Sequence, residues 1–115
     1  MPASGAKLQF EGNFLEYAVD FFAGAFLCNC LPHLVSGLQG NPFPTPFATP
    51  RGVGESSPLI NFAWGLANLV AGLALLTVSP VLVELSLRAL AFLAGVIALG
   101  TYLAVHFGRV RKRSS

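Results

Sequence analysis

Three polar residues in one apolar stretch have types and spacing that could support chemistry. Asn29, Cys30 and His33 lie within about a third of a turn of one another at 3.6 residues per helical turn. Pro32 removes one backbone hydrogen bond beside His33 and leaves a carbonyl free. Such a cluster could bind an ion, relay a proton or, with Cys30, hold a metal ion.

A metal ion is the least favoured of these ligands, because metal sites use three or four protein ligands. Cys28 projects away from Cys30 on a helix, and no second histidine lies at metal-ligand spacing. Asp20 adds an ionisable group to the same stretch, and such a group inside a membrane is a functional candidate. We therefore expect no metal and no cofactor. Local packing or an interfacial position is the favoured interpretation of these residues, and a candidate polar path formed by Asp20, Asn29 and His33 is the alternative.

Sequence patterns of the common catalytic sites are missing from the chain. It has no glycine-rich phosphate loop, no nucleophile elbow and no metalloprotease histidine pair. Its serines and histidines are too few and too scattered for a catalytic triad. The sequence predicts a protein that is not an enzyme.

The composition indicates a lipid bilayer as the surroundings. Of 115 residues, 54% are hydrophobic and only 10% are charged, whereas globular domains carry roughly 25% charged residues. A water-soluble domain of this size has a large surface and could not cover it with so few charges. The net charge of +2 is small and its basic residues gather at the C-terminus, so nucleic acid is not an expected partner.

Three apolar stretches are long enough to cross a membrane, for which about 20 residues suffice. A single membrane domain over 1–115 is expected, comprising an N-terminal segment 1–16, spans 17–38, 58–79 and 85–107, a proline-rich loop 39–57, and a basic tail 108–115. The sequence thus predicts an all-α integral membrane protein with three transmembrane helices. Pro32 should kink the first helix, Ser57 should cap the second, and the second and third should form a helical hairpin.

The loop at 39–57 is dense in proline and glycine, so no regular element is expected there. Alternating prolines hold its 42–47 segment near polyproline II, and its two phenylalanines can reach the headgroups or the helices. One interpretation is a stiff connector at the interface. The alternative is a partner-docking loop formed by Phe43, Pro44, Pro46 and Phe47, because long ordered loops are often functional.

Small and amide residues form a stripe along the second span. Asn61, Gly65, Asn68 and Gly72 recur at helical spacing, and Gly95 lies on a small-residue face of the third span. In lipid, helices associate through small residues and interhelical hydrogen bonds. These five residues are the predicted packing seam; a polar path for a solute or ion is the alternative, and it would need matching polar groups on the other spans.

The distribution of basic residues predicts the orientation. Four crowd the C-terminus, at Arg109, Arg111, Lys112 and Arg113, and the basic side of a membrane protein is cytoplasmic. With three spans, the loop carrying Arg51 is also cytoplasmic, while Lys7 and Arg88 fall outside. The predicted location is the inner (plasma) membrane, with the C-terminus in the cytoplasm.

Residues 31–37 (LPHLVSG), 42–48 (PFPTPFA) and the later motifs Ser57-Pro58, Asn61, Trp64-Gly65 and Asn68-Leu69 resemble a group of small bacterial inner-membrane proteins. The resemblance covers roughly 29–72 and implies a bacterial inner membrane but no activity. Small multidrug exporters are less similar. They share the length and an acidic residue in the first span, here Glu16 or Asp20, but they have four spans and no long proline-rich loop.

The function that we expect is structural or accessory, in a protein that packs against itself as a homo-oligomer or against a larger membrane complex. The alternative is a small oligomeric transporter or channel that uses Asp20, Asn29 and His33. A holin-like pore former would share the small size and basic tail, but the ordered-looking loop argues against it.

Overall fold

The computed structural model describes residues 13–78 and 87–114, which form three helices and one two-stranded sheet. Helix α1 spans Phe14–Leu38, α2 spans Pro58–Val78 and α3 spans Leu87–Ser114. Strands β1 (Phe43–Pro44) and β2 (Glu55–Ser56) lie between α1 and α2. All three helices are long and apolar enough to cross a membrane, so this part of the sequence-based prediction is confirmed.

The helix ends follow from capping chemistry. Asn13 Oδ1 accepts from the Glu16 amide at 2.9 Å, and Glu16 Oε1 accepts from the Asn13 amide at 3.1 Å. This capping box starts α1 three residues before the predicted position 17. Ser57 Oγ accepts from the Ile60 amide at 3.2 Å, which confirms the predicted cap of α2. At the C-terminal end, α3 continues through the basic residues to Ser114. The predicted basic tail is therefore helical from 108 to 114.

Helix α1 is the shared partner of the other two helices. Both α2 and α3 pack along α1, while close backbone approaches between α2 and α3 are few or absent in the described ranges. The predicted hairpin of spans two and three is therefore wrong in its packing. The helix runs unbroken through Pro32, and the kink there stays a prediction.

Backbone contact between α1 and α3 depends on one glycine from each helix. A Cβ at Gly24 would collide with the carbonyl oxygen of Phe92, and a Cβ at Gly95 would collide with that of Phe21. Since neither glycine has a side chain, the two backbones can touch. Gly24 gives α1 a second packing face, which explains why α3 packs on α1 rather than on α2.

The α1–α2 contact uses a separate set of glycines. A Cβ at Gly37 would lie 2.6 Å from the Phe62 amide nitrogen, and one at Gly65 would lie 2.7 Å from that of Leu34. Gly72 lies against the side chain of Leu27. The glycines of the predicted seam thus all contact α1: Gly65 and Gly72 face it from α2, and Gly95 faces it from α3.

The loop contains regular structure, contrary to the sequence-based prediction. Strands β1 and β2 pair antiparallel, with Phe43 opposite Ser56 and Pro44 opposite Glu55. A proline is compatible with such a pair because an edge strand does not require its N–H. Between the strands, the Thr45 carbonyl accepts from the amides of Ala48 at 3.2 Å and Gly52 at 2.9 Å, which closes the turn.

Candidate functional site

Polar side chains of α1 and α2 meet in pairs across the helix interface. His33 Nδ1 lies 2.8 Å from Asn61 Oδ1, and Asn29 Nδ2 donates to Asn68 Oδ1 at 3.0 Å. The pairing order is reversed between the two helices, as antiparallel packing requires. The polar cluster of Asn29, His33, Asn61 and Asn68 therefore joins residues predicted for a polar path with residues predicted for a packing seam.

Asn61 connects this cluster to the loop. Its side chain is fully buried, and its Nδ2 donates to the carbonyls of Phe43 at 2.9 Å, Ser56 at 3.2 Å and Ser57 at 3.1 Å. Because these carbonyls fix the amide nitrogen toward the loop, Asn61 Oδ1 faces His33 and the imidazole Nδ1 carries the proton. One side chain thus holds α1, α2 and both loop strands together.

Asp20 belongs to a different place in the molecule. It is fully buried and accepts from Arg88 Nε at 2.8 Å and Nη2 at 3.3 Å, in the bidentate geometry that favours arginine. Thirteen residues separate Asp20 from His33 along α1, which is about 20 Å at 1.5 Å per residue. The structure brings Asn29 and His33 into one cluster and leaves Asp20 outside it, paired with Arg88. That the three residues line one path stays a prediction.

His106 fixes the loop to α3. Its Nε2 donates to the Gly52 carbonyl at 2.6 Å, and its ring stacks on Tyr102 with centroids 5.6 Å apart. Gly52 has a φ of 68°, a left-handed conformation that favours glycine. The sequence gives no local pattern for this contact, because His106 and Gly52 lie 54 positions apart.

A small cavity lies where the loop meets the helices. It has a volume of about 130 Å³ and is lined by aromatic and polar side chains: Asn29, His33, Thr45, Trp64, Tyr102, His106 and Phe107. Trp64 Nε1 is buried and has no hydrogen-bond partner among the described residues. Since a water molecule occupies about 30 Å³ of liquid volume, the cavity has room for a few waters or a small polar molecule.

The predicted partner loop divides into an inner and an outer part. Phe43 packs against His33 and Phe107, with ring centroids 5.5 and 4.6 Å away, and Pro44 is buried. Pro46 is exposed and Phe47 is 63% exposed. Only the outer two of the four predicted residues are therefore available to a partner.

Thr45 is a residue that the sequence did not single out. It is 1% exposed, its hydroxyl lies 2.5 Å from Ser56 Oγ, and it accepts from the Phe47 amide at 3.2 Å. A threonine between two prolines gives no pattern that would indicate burial. It nevertheless holds the centre of the loop.

Within 13–78 and 87–114, no group of three or more His, Cys, Asp or Glu residues could hold a metal ion. No protein-family model matches the chain, and neither a curated protein nor a solved structure is similar to it. The proposal for its function therefore rests on the sequence and the geometry.

Proposed function

We propose that the chain is a small, non-catalytic multi-pass protein of a bacterial inner membrane. It acts as a structural or accessory component that packs against itself or against a larger membrane complex. The loop and the C-terminus face the cytoplasm, and the exposed end of the loop meets the partner. The resemblance over 29–72 and the excess of basic residues at one end support the location and the orientation.

The observation that carries the proposal is the bonding of Asn61, which ties both loop strands to α1 and α2. His106 adds a bond from α3 to the same loop. A loop held by three helices presents its outer residues in one fixed arrangement, which lowers the entropy that binding would otherwise cost. Among the residues of the alternative polar path, His33 has its Nδ1 occupied by Asn61 Oδ1.

The outer surface of the loop has the composition of a contact site. Phe47 is largely exposed while its ring meets Trp64 edge-on, with centroids 5.0 Å apart. Thr49 and Arg51 are exposed beside it. Aromatic residues, phenylalanine included, and arginine are enriched at protein interfaces, so Phe47 is the expected anchor.

Photo-crosslinking in native membranes tests this contact. A photoreactive amino acid replaces Thr49, and the adducts are resolved by mass. We expect a discrete adduct, which would be near twice 12.1 kDa for a second copy. Phe47→Ala should reduce its yield by about tenfold or more, since truncating an aromatic anchor costs about 2 kcal/mol. Leu73→Ala on the exposed face of α2 is the matched control and should leave the yield unchanged.

The alternative, a small oligomeric transporter or channel, makes the opposite prediction. Its support is the cavity beside His33 with the unpartnered Trp64 Nε1. Proton flux into liposomes carrying the purified chain, abolished by His33→Gln, would favour transport. Absence of any discrete adduct from position 49 in the same membranes would then overturn the structural role.

A further inference from the structure

A second and larger cavity opens where the ends of α1 and α3 flank the loop. Its volume is about 520 Å³, within the range of small-molecule sites. The cavity is lined by residues from the end of α1, the loop and α3: Ser36 of α1, its C-cap residue Gln39, Asn41 and Glu55 of the loop, and Phe107 and Arg111 of α3. The cavity lies apart from the polar cluster and has no part in the contact proposed for Phe47.

Two opposite charges line this cavity without pairing to each other. Glu55 and Arg111 are both exposed, and the ion pair found in the described parts of the chain joins Arg88 to Asp20 instead. A carboxylate and a guanidinium that share one cavity beyond ion-pair distance are complementary to a ligand that carries both signs. Phe107 and Val110 add an apolar wall to the same cavity.

The cavity lies at the depth of lipid headgroups. Arg111 follows Leu87, the first described residue of α3, by 24 positions, which is about 36 Å along the helix. The hydrocarbon core is about 30 Å thick and the bilayer with its headgroups about 40–45 Å. A helix that enters the core near Leu87 therefore brings Arg111 into the headgroup layer.

We propose that this cavity binds the headgroup of a phosphatidylethanolamine-type lipid. The phosphate accepts hydrogen bonds from Arg111, and the primary ammonium donates to Glu55. The glycerol and the first acyl carbons lie along Phe107 and Val110. The proposal rests on the membrane location proposed above but not on the partner contact.

The two charges select among lipid headgroups. Arg111 favours any phosphate, but Glu55 repels a headgroup with net negative charge, such as phosphatidylglycerol. A choline headgroup has the same net charge as ethanolamine, but its quaternary nitrogen has no N–H to donate to Glu55. Ethanolamine alone among these satisfies both residues.

Native mass spectrometry of the purified full chain with an equimolar mixture of the three lipids, matched in acyl chains, tests the proposal. Phosphatidylethanolamine should give the highest bound fraction. Arg111→Gln should weaken its binding about fivefold, which is the fold-change for about 1 kcal/mol per basic residue near a membrane surface. Glu55→Gln should remove the preference over phosphatidylglycerol. Arg113→Gln, on the same helix end but outside the cavity lining, is the matched control and should retain the preference.

Two results would overturn the proposal. Equal loss with Arg113→Gln and Arg111→Gln, together with a preference for phosphatidylglycerol, would mean that the helix end attracts anions without a site. Equally tight binding of glycerophosphoethanolamine, which lacks acyl chains, would make the ligand a soluble phosphate ester. Flotation of the chain with lipid vesicles is scored separately, so a failure of the membrane location is distinguishable from a failure of this site.

Discussion

Asn61 is the side chain on which the polar cluster and the loop both depend. When a buried amide side chain is removed, each of its buried hydrogen-bond partners is left unsatisfied, at a cost of about 1–3 kcal/mol each. Replacement of Asn61 deprives His33 of its acceptor and three carbonyls of their donor. We therefore expect the loop to detach from the helices while the helices themselves remain.

Asn61→Ala should raise amide hydrogen exchange in the loop by about 30-fold, which corresponds to about 2 kcal/mol. The amide of Gly52, bonded to the Thr45 carbonyl at 2.9 Å, is the reporter. Asn41→Ala is the matched control, because the Asn41 side chain is exposed and, within 13–78 and 87–114, bonds to Gln39 and not to the helices. Unchanged exchange at Gly52 in the Asn61 variant would mean that the loop is held by its packing alone.

The residue types of the site could be predicted from the sequence, but their pairing could not. Helical spacing placed Asn29 with His33, and Asn61 with Asn68, on common faces. Nothing in one sequence sets the register between two helices, so the partner of each residue was not predictable. The Asp20–Arg88 pair was easier to predict from the sequence. In a three-span chain, spans one and three run in the same direction, which puts both residues on the same side of the membrane.

At the scale of the elements, the hydropathy pattern predicted three helices and their approximate bounds, but not which helices would touch. A bilayer gives no hydrophobic driving force that would bury one apolar face rather than another. Small residues permit contact wherever they occur, and Gly24, which brings α3 onto α1, was not distinguished from the other glycines. The sequence therefore favoured packing between consecutive spans, and α1 took the central position instead.

A disulfide tests this packing directly. A Cβ at position 100 would lie 3.5 Å from Cys28 Sγ, close to the geometry of a disulfide. Gly100→Cys should thus cross-link to Cys28 under mild oxidation, seen as protection of two thiols from alkylation. Gly108→Cys on the same helix has nothing within 4 Å of its Cβ and should stay reduced. Equal oxidation at both positions would contradict the α1–α3 interface, and a Gly95→Leu background should suppress the bond at position 100.

At the scale of the whole molecule, the body measures 54 × 24 × 22 Å and most of its polar structure lies toward the two ends. The loop, the His33–Asn61 pair and the end of α3 occupy one end, joined by the bond of His106 to Gly52, while the Asn29–Asn68 pair lies nearer the middle of α1 and α2. The Asp20–Arg88 pair lies toward the other end. A length of about 40–45 Å covers a bilayer with its headgroups, so the body is long enough to reach both surfaces.

The orientation across the membrane is tested by single-cysteine accessibility in a Cys28→Ser/Cys30→Ser background. The loop and the end of α3 are bonded together, so Thr49→Cys and Arg113→Cys must label from the same side. The excess of basic residues predicts that this side is the cytoplasm. Ser4→Cys and Ser86→Cys, outside the described residues, should then label from the exterior. Labelling of Thr49→Cys from outside would mean that the topology is inverted and that the surface around Phe47 meets an extracytoplasmic partner. Labelling of Thr49→Cys and Arg113→Cys from opposite sides would contradict the fold itself. No membrane can separate the loop from α3, because the two are joined by a 2.6 Å hydrogen bond.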